Sequence, residues 1–280
     1  MSKAIVGLDH VIIGVNDLEA ARADYRRLGF TTAPIGHHQG RATSNYCIMF
    51  PDTYLELLGI LRPELDSGPL AQELATRGEG LQRLALSTPD ADAARADLEA
   101  AGLHPDGPHD LARPSEDPKG IVRFRNLQIP PADTANVRMF LCGHKTPELM
   151  RRPDWMAHAN GACAFAGITV VVEDMEPVAV ALGKVFGAAA VATVDHGVQV
   201  NTGRGTISVS TPAHFGKMHP GVAPPDLPLP SYCGLRVAVS SLDATAAYLR
   251  GEGIPAERVG GAIRVAPELA RGVLLEFVPG

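Results

Sequence analysis

Leu18-Glu19-Ala20-Ala21-Arg22-Ala23-Asp24-Tyr25 returns later in the chain as Ala91-Asp92-Ala93-Ala94-Arg95-Ala96-Asp97-Leu98. Both copies run on to a glycine and an apolar residue, Gly29-Phe30 and Gly102-Leu103. A third copy, Leu242-Asp243-Ala244-Thr245-Ala246-Ala247-Tyr248-Leu249, stops at Gly253-Ile254, and a looser fourth, Met175 to Leu182, reaches Gly187. An apolar run short enough for a strand precedes each copy. One supersecondary unit has therefore been used four times, and a repeat on this scale sets the architecture.

The first unit opens with Leu8-Asp9-His10-Val11-Ile12-Ile13-Gly14-Val15. Asn16 or Asp17 then caps a helix that carries Leu18, Ala21, Tyr25 and Leu28 at helical spacing and ends at Gly29. Strands are expected near 31–35, near 46–50 and at Tyr54-Leu55-Glu56-Leu57-Leu58, which gives the order β-α-β-β-β. The second unit has strands at 81–86, near 121–124 and at 137–142, a helix over 91–101, and a Pro/Asp-rich loop from His104 to Pro118. The third has strands at 167–172, 198–201 and 206–210; the fourth at 235–239, 262–265 and 273–278. Residues 213–231 contain Pro220, Pro224, Pro225, Pro228 and Pro230, too many for a helix or a central strand, so a long crossover or lid is expected there.

The 280 residues are 45% apolar and 20% charged, enough to bury cores in two domains. The boundaries expected are a first domain over 1–146, a linker over 147–161 anchored by Trp155, and a second domain over 162–280. A net charge of -6, with Arg151-Arg152 as the longest basic cluster, argues against nucleic acid as a partner. No apolar run approaches a membrane span and no basic-then-apolar leader opens the chain, so a soluble cytoplasmic protein, monomer or homodimer, is expected. Cys47, Cys142, Cys163 and Cys233 form no CxxC and read as reduced thiols. GxGxxG, HExxH and GxSxG are all missing, which removes nicotinamide, zincin and serine-hydrolase readings.

The unit order, the opening strand with His10 and the closing strand with Glu56 resemble the vicinal oxygen chelate (VOC) superfamily, which includes glyoxalase I, extradiol dioxygenases and bleomycin-resistance proteins. Gly40-Arg41-Ala42-Thr43-Ser44-Asn45 is similar to a segment of its glyoxalase-like group. The resemblance implies an α+β fold: four β-α-β-β-β units forming two VOC-type domains with curved mixed sheets. It also implies a divalent metal ion (Zn, Fe, Mn or Ni) in a concavity, held by residues at the His10 and Glu56 positions. Aligned on those positions, the second unit offers Arg83 and a residue near Phe140, the third Gly167 and Ser208, the fourth Gly234 and Glu276. The first domain therefore carries the expected site, and the second reads as structural or substrate-covering.

Each candidate has a plainer alternative. His10 is a metal ligand or a strand-end histidine satisfied by hydrogen bonds. Glu56, costly inside an apolar strand unless partnered, binds metal with His10, pairs with Arg83, or faces solvent at an edge. Arg83 binds a substrate anion or neutralises Glu56. Glu276, without a histidine partner, is exposed or arginine-paired. His37, His38, His144 and His158 are candidates for a third ligand. His37 and His38, on a loop at the barrel mouth, are otherwise expected to contact substrate or to face solvent. His196, His214 and His219 fit no pattern. Asn45 and Tyr54 complete the expected substrate contacts, with Tyr46 and Phe50 as further pocket-lining aromatics. The function expected is a metal-dependent lyase or isomerase, with Glu56 as catalytic group, on a small oxygenated, anionic molecule. The alternatives are a metal-free sequestration protein of the bleomycin-resistance type, an extradiol-type ring-cleaving dioxygenase, and a scaffold with a vestigial pocket.

Overall fold

In the computed structural model, residues 4–224 and 226–280 are described; Pro225 of the crossover lies outside them. The first half forms β1 (Gly7–Gly14), β2 (Gly36–His37), β3 (Thr43–Met49), β4 (Tyr54–Ile60), β5 (Gly80–Ser87), β6 (Asp106–Glu116), β7 (Lys119–Gln128) and β8 (Met139–His144). The second forms β9 (Ala162–Val171), β10 (Val191–Val194), β11 (Gly197–Asn201), β12 (Thr206–Ser210), β13 (Ser231–Val239), β14 (Glu257–Val259), β15 (Ala262–Val265) and β16 (Leu274–Pro279). Each set makes one eight-stranded mixed sheet, in the orders β2-β3-β4-β1-β5-β8-β7-β6 and β10-β11-β12-β9-β13-β16-β15-β14. The two orders are the same topology written twice, an α+β fold of two VOC-type sheets.

The four repeated segments are helices: α1 (Leu18–Arg27), α3 (Ala91–Ala100), α4 (Met175–Phe186) and α6 (Leu242–Gly251), with α2 (Leu70–Arg77) and α5 (Pro212–Met218) outside the repeat. All four start alike: Asp17, Asp90, Asp174 and Ser241 each accept a backbone N–H of the first turn, which satisfies donors that a helix start leaves orphaned. Gly29, at φ 93°, takes the left-handed conformation just beyond α1.

Strand alternation sorts the side chains. Val11 and Ile13 of β1, Ile48 of β3, Leu55 and Leu57 of β4, Leu84 and Leu86 of β5, and Leu141 of β8 enter one apolar core. That core continues into the second half through Ile168, Ile207, Leu235, Leu275 and Phe277. Phe30 stacks on Phe277 at 5.9 Å, and the Tyr25 hydroxyl donates to the Ala270 carbonyl at 3.2 Å. The alternate residues of the same strands line the opposite face, where the site lies.

Several expectations are corrected. Residues 31–35 do not pair as a strand; Pro34 lacks the donor a ladder needs, and only Gly36–His37 pairs. The stretch read as a loop from His104 to Pro118 is mostly the long edge strand β6, whose unpaired side tolerates Pro108 and Pro114. No element was expected at α2. Part of the proline-rich crossover is helical, because α5 begins at Pro212, a favourable first helical position, and ends before Pro220. Tyr46 and Phe50 belong to the core rather than to a pocket. The segment expected as a linker makes two short helical turns, Pro147–Leu149 and Pro153–Trp155, and Met150 and Trp155 pack against Cys47, Met49 and Tyr54. Among the described residues no helix is long and apolar enough to cross a membrane.

Candidate metal centre

His10 and Glu56 come from adjacent parallel strands, with Ile12 opposite Glu56 in the register. Both side chains are buried, and His10 Nε2 stands 3.5 Å from Glu56 Oε2. The two sequence-predicted groups therefore converge on one face of one sheet. The same register places Phe140 opposite Ala85, Ser208 opposite Thr169 and Glu276 opposite Arg236, which are the counterparts read from the repeat.

The imidazole of His10 is held on three sides. Tyr54 stacks beneath it at 4.2 Å and 15°, Phe140 meets it edge-on at 5.5 Å, and Asp9 Oδ2 lies 2.6 Å from Nδ1. Successive residues of a strand normally point to opposite faces. Here the β1–β5 register slips between Leu8 and His10, so Asp9 is an extra, bulged residue. The slip brings Asp9 into contact with the ring next to it. Asp9 Oδ2 also lies 3.1 Å from His144 Nε2, while Oδ1 is buried without a partner. Burial raises the Asp9 pKa, but the hydrogen bonds and charges of His10 and His144 outweigh it and hold the carboxyl well below its ordinary value. An ionised Asp9 accepts from Nδ1–H of His10, and the ring's other nitrogen, Nε2, is the one that faces Glu56.

His38 follows directly on β2. Its Nδ1 lies 2.7 Å from the Thr43 hydroxyl, which turns Nε2 toward Glu56 Oε1 at 3.9 Å. Burial pushes the His38 pKa down, Glu56 opposes this, and Arg113, Arg41 and Arg83 add to the lowering, so the ring holds its proton less readily than a free imidazole. Burial raises Glu56; the charges of His10 and His38, the hydrogen bond from Asn45 Nδ2 at 2.6 Å and the charge of Arg83 more than reverse this, and the carboxyl stays ionised.

The other candidates fall into place around this centre. His37 is exposed and bonded to the Ser44 hydroxyl at 2.8 Å, away from Glu56. Arg83 lies beside Glu73 of α2, Nε to Oε1 3.3 Å, so the alternative of an Arg83–Glu56 pair gives way to Arg83–Glu73. Tyr54 is buried as the floor under His10. His144 reaches Asp9 rather than Glu56. His158 is excluded as a third ligand: both nitrogens are used, Nδ1 accepting from Thr31 N–H at 3.0 Å and Nε2 donating to the Met49 carbonyl at 2.9 Å. The sequence reading missed Asp9 and Arg113. The two edges of the first sheet approach each other so closely that a Cβ on Gly36 of β2 would lie 2.5 Å from Arg113 Nη1 of β6. That curl brings Arg113 to the pocket.

Two donor sets exist here. Asp9, Cys142 and His144 offer atoms all within 4.8 Å of one another. In that set the His144 nitrogen facing Asp9 carries the shared proton, and burial pushes the Cys142 thiol well above its ordinary pKa, so both would have to shed protons first. His10, His38 and Glu56 form the other set: His10 Nε2 lies 3.5 Å from Glu56 Oε2 and His38 Nε2 3.9 Å from Oε1, so the imidazoles meet different carboxylate oxygens and are more widely spread than the first set.

Doubled β-α-β-β-β units around a concave face bearing an imidazole–carboxylate pair define a protein of the vicinal oxygen chelate superfamily. A glyoxalase-like domain family model matches residues 8–186, and the chain belongs to that family. No curated protein matches it. Among solved structures, a hypothetical protein from Staphylococcus aureus is similar at 14% identity, over 98% of this chain and 99% of that one, with a TM-score of 0.66. A xylose isomerase-like TIM barrel/4-hydroxyphenylpyruvate dioxygenase fusion protein matches at 12% identity over 99% of this chain and 49% of its own, TM-score 0.63. Methylmalonyl-CoA epimerase from Mycobacterium tuberculosis matches at 25% identity over 51% of this chain and 91% of its own, TM-score 0.42.

Proposed function

We propose that the chain is a metal-dependent enzyme of the vicinal oxygen chelate type, a lyase or isomerase acting on a small, oxygenated, anionic molecule. The observation that carries this reading is the convergence of His10 Nε2 and His38 Nε2 on the two oxygens of Glu56, at 3.5 and 3.9 Å. Two imidazoles facing one buried carboxylate are a donor set of the kind that binds first-row divalent metals. His10, His38 and Glu56 would hold Zn, Fe, Mn or Ni, and the bound ion would supply Lewis-acid stabilisation of an enediolate or similar oxyanion. Glu56 also moves a proton at the carbon beside the substrate oxygens. Asn45 orients Glu56 through its hydrogen bond. Arg113 and Arg83 supply positive charge for the substrate anion.

A set of two imidazoles and one carboxylate also suits ferrous oxygenases, which makes ring cleavage the second reading. A panel of small 2-oxygenated carboxylates and catechols, incubated with metal-loaded protein in deuterated buffer, tests both. Deuterium entering the carbon next to oxygen, abolished by chelator and by Glu56→Gln, is the expected result. Dioxygen uptake with a catechol, without such exchange, would move the assignment to the second reading. Neither exchange nor uptake across the panel would overturn the enzyme reading and leave a binding protein.

A further inference from the structure

Across the second sheet, one row of facing residues reads Thr206, Gly167, Arg236, Glu276, Arg264, on five neighbouring strands. Facing residues share a side of the sheet, and this side is opposite to the core that takes Ile168, Ile207, Leu235, Leu275 and Ile263. Gly167 lets its neighbours close over the row: a Cβ there would stand 2.8 Å from Thr206 Oγ1 and 2.9 Å from Arg236 Nη2. Arg236 lies over this glycine, and its Nη2 donates to Thr206 Oγ1 at 2.6 Å and to Ser208 Oγ at 3.0 Å. Its Nε is buried with no hydrogen-bond partner.

The carboxylate in the row does not satisfy Arg236. Glu276 Oε1 accepts from His219 Nδ1 at 3.0 Å and from Arg264 Nε and Nη2 at 3.2 and 3.0 Å. Among the described residues no carboxylate lies within ion-pair distance of Arg236. Two guanidinium groups therefore face one carboxylate, and one of them is bound only to neutral hydroxyls. A partly buried charge in that state is costly until a counter-charge joins it. The expectation that Glu276 lacks a histidine is also corrected, because α5 and the crossover bring His219 over the row, and Arg264 Nη1 fastens the crossover by its bond to the Pro220 carbonyl at 2.7 Å.

We propose that this row is a second binding site, for a small oxyanion of the phosphate or carboxylate type, anchored by Arg236 and flanked by the Thr206 and Ser208 hydroxyls. The equivalent faces of the two sheets differ in charge. The first sets Glu56 and Asp9 beside imidazoles; the second sets two guanidinium groups against one carboxylate and suits an anion.

The test follows the Nε–Hε resonance of Arg236 in the full-length protein while inorganic phosphate and acetate are added separately at constant ionic strength. A saturable shift with either anion is expected, and which anion gives it tells phosphate from carboxylate. Arg236→Gln should weaken saturable binding by about tenfold or more, with Ser208→Ala in between and with the metal content of the first site unchanged. No saturable shift with either anion, or equal binding by wild type and Arg236→Gln, overturns the site. If Arg236→Gln does not fold, the wild-type resonance decides alone.

Discussion

The residue whose role is easiest to overlook is Asp9. Reading by alternation sends it to the face away from His10, and only the bulge brings it to the ring. Its carboxylate, 2.6 Å from Nδ1 of His10, orients the ring so that Nε2 faces Glu56, and in the proposed metal site it would act as the partner behind a metal-binding histidine. Asp9→Asn should weaken divalent-metal affinity by roughly 10–100-fold, read by chelator competition, with His10 and Glu56 still in place; unchanged affinity would remove the positioning role. The depressed Asp9 pKa also has a sign. A carboxyl with its folded pKa below the ordinary 3.8 adds stability that is fully present above that value and is lost as pH falls toward the folded one. Wild type should therefore lose more stability than Asp9→Asn below about pH 4 in acid denaturation. His10 and Glu56 were legible because each interrupts an apolar strand. Neither Arg113 nor His219 was, since each reaches its site from a segment whose prolines read as loop.

At the scale of elements, the four repeated helices were plain in the sequence, since capping residue, apolar spacing and terminal glycine all recur. The elements that shape the pocket were not. β6 is rich in Pro and Asp, and only its place at a sheet edge makes it a strand. α2 is short, and its packing rather than its composition holds it; Leu70 and Glu73 are its buried residues. The meeting of β2 with β6 gives a sharp test. A methyl group at Gly36 would fall 2.4 Å from Asn45 Oδ1 and 2.5 Å from Arg113 Nη1, so both side chains would have to move. Gly36→Ala should lower metal affinity by about tenfold, with little loss of thermal stability. Wild-type affinity in that variant would mean that the meeting of the edges does not position the site.

On the scale of the whole molecule, the duplication was legible, but the joint packing was not, because a repeat does not say how its copies dock. One apolar core runs through both sheets, with Phe30 against Phe277 and Tyr25 reaching Ala270. Arg77 Nη1 donates to the Pro228 and Pro230 carbonyls at 2.7 and 3.0 Å, and Arg271 pairs with Asp24 and Glu79. We propose that the halves on either side of residues 147–161 unfold as one unit. A single calorimetric transition is expected, and Phe277→Ala should lower the stability of the whole by about 3–5 kcal/mol. Two separated transitions, with only the later half shifted by Phe277→Ala, would show independent domains.

The central claim is that His10, His38 and Glu56 together hold a divalent ion. Metal analysis of protein purified without chelators, beside His10→Ala, His38→Ala and Glu56→Gln variants that keep the wild-type circular dichroism, tests it most directly. One ion per wild-type chain, lost or strongly weakened in all three variants, is the predicted result. Wild-type protein that takes up no divalent ion even when supplied with Zn, Fe, Mn and Ni, or variants that bind as wild type does, would contradict it.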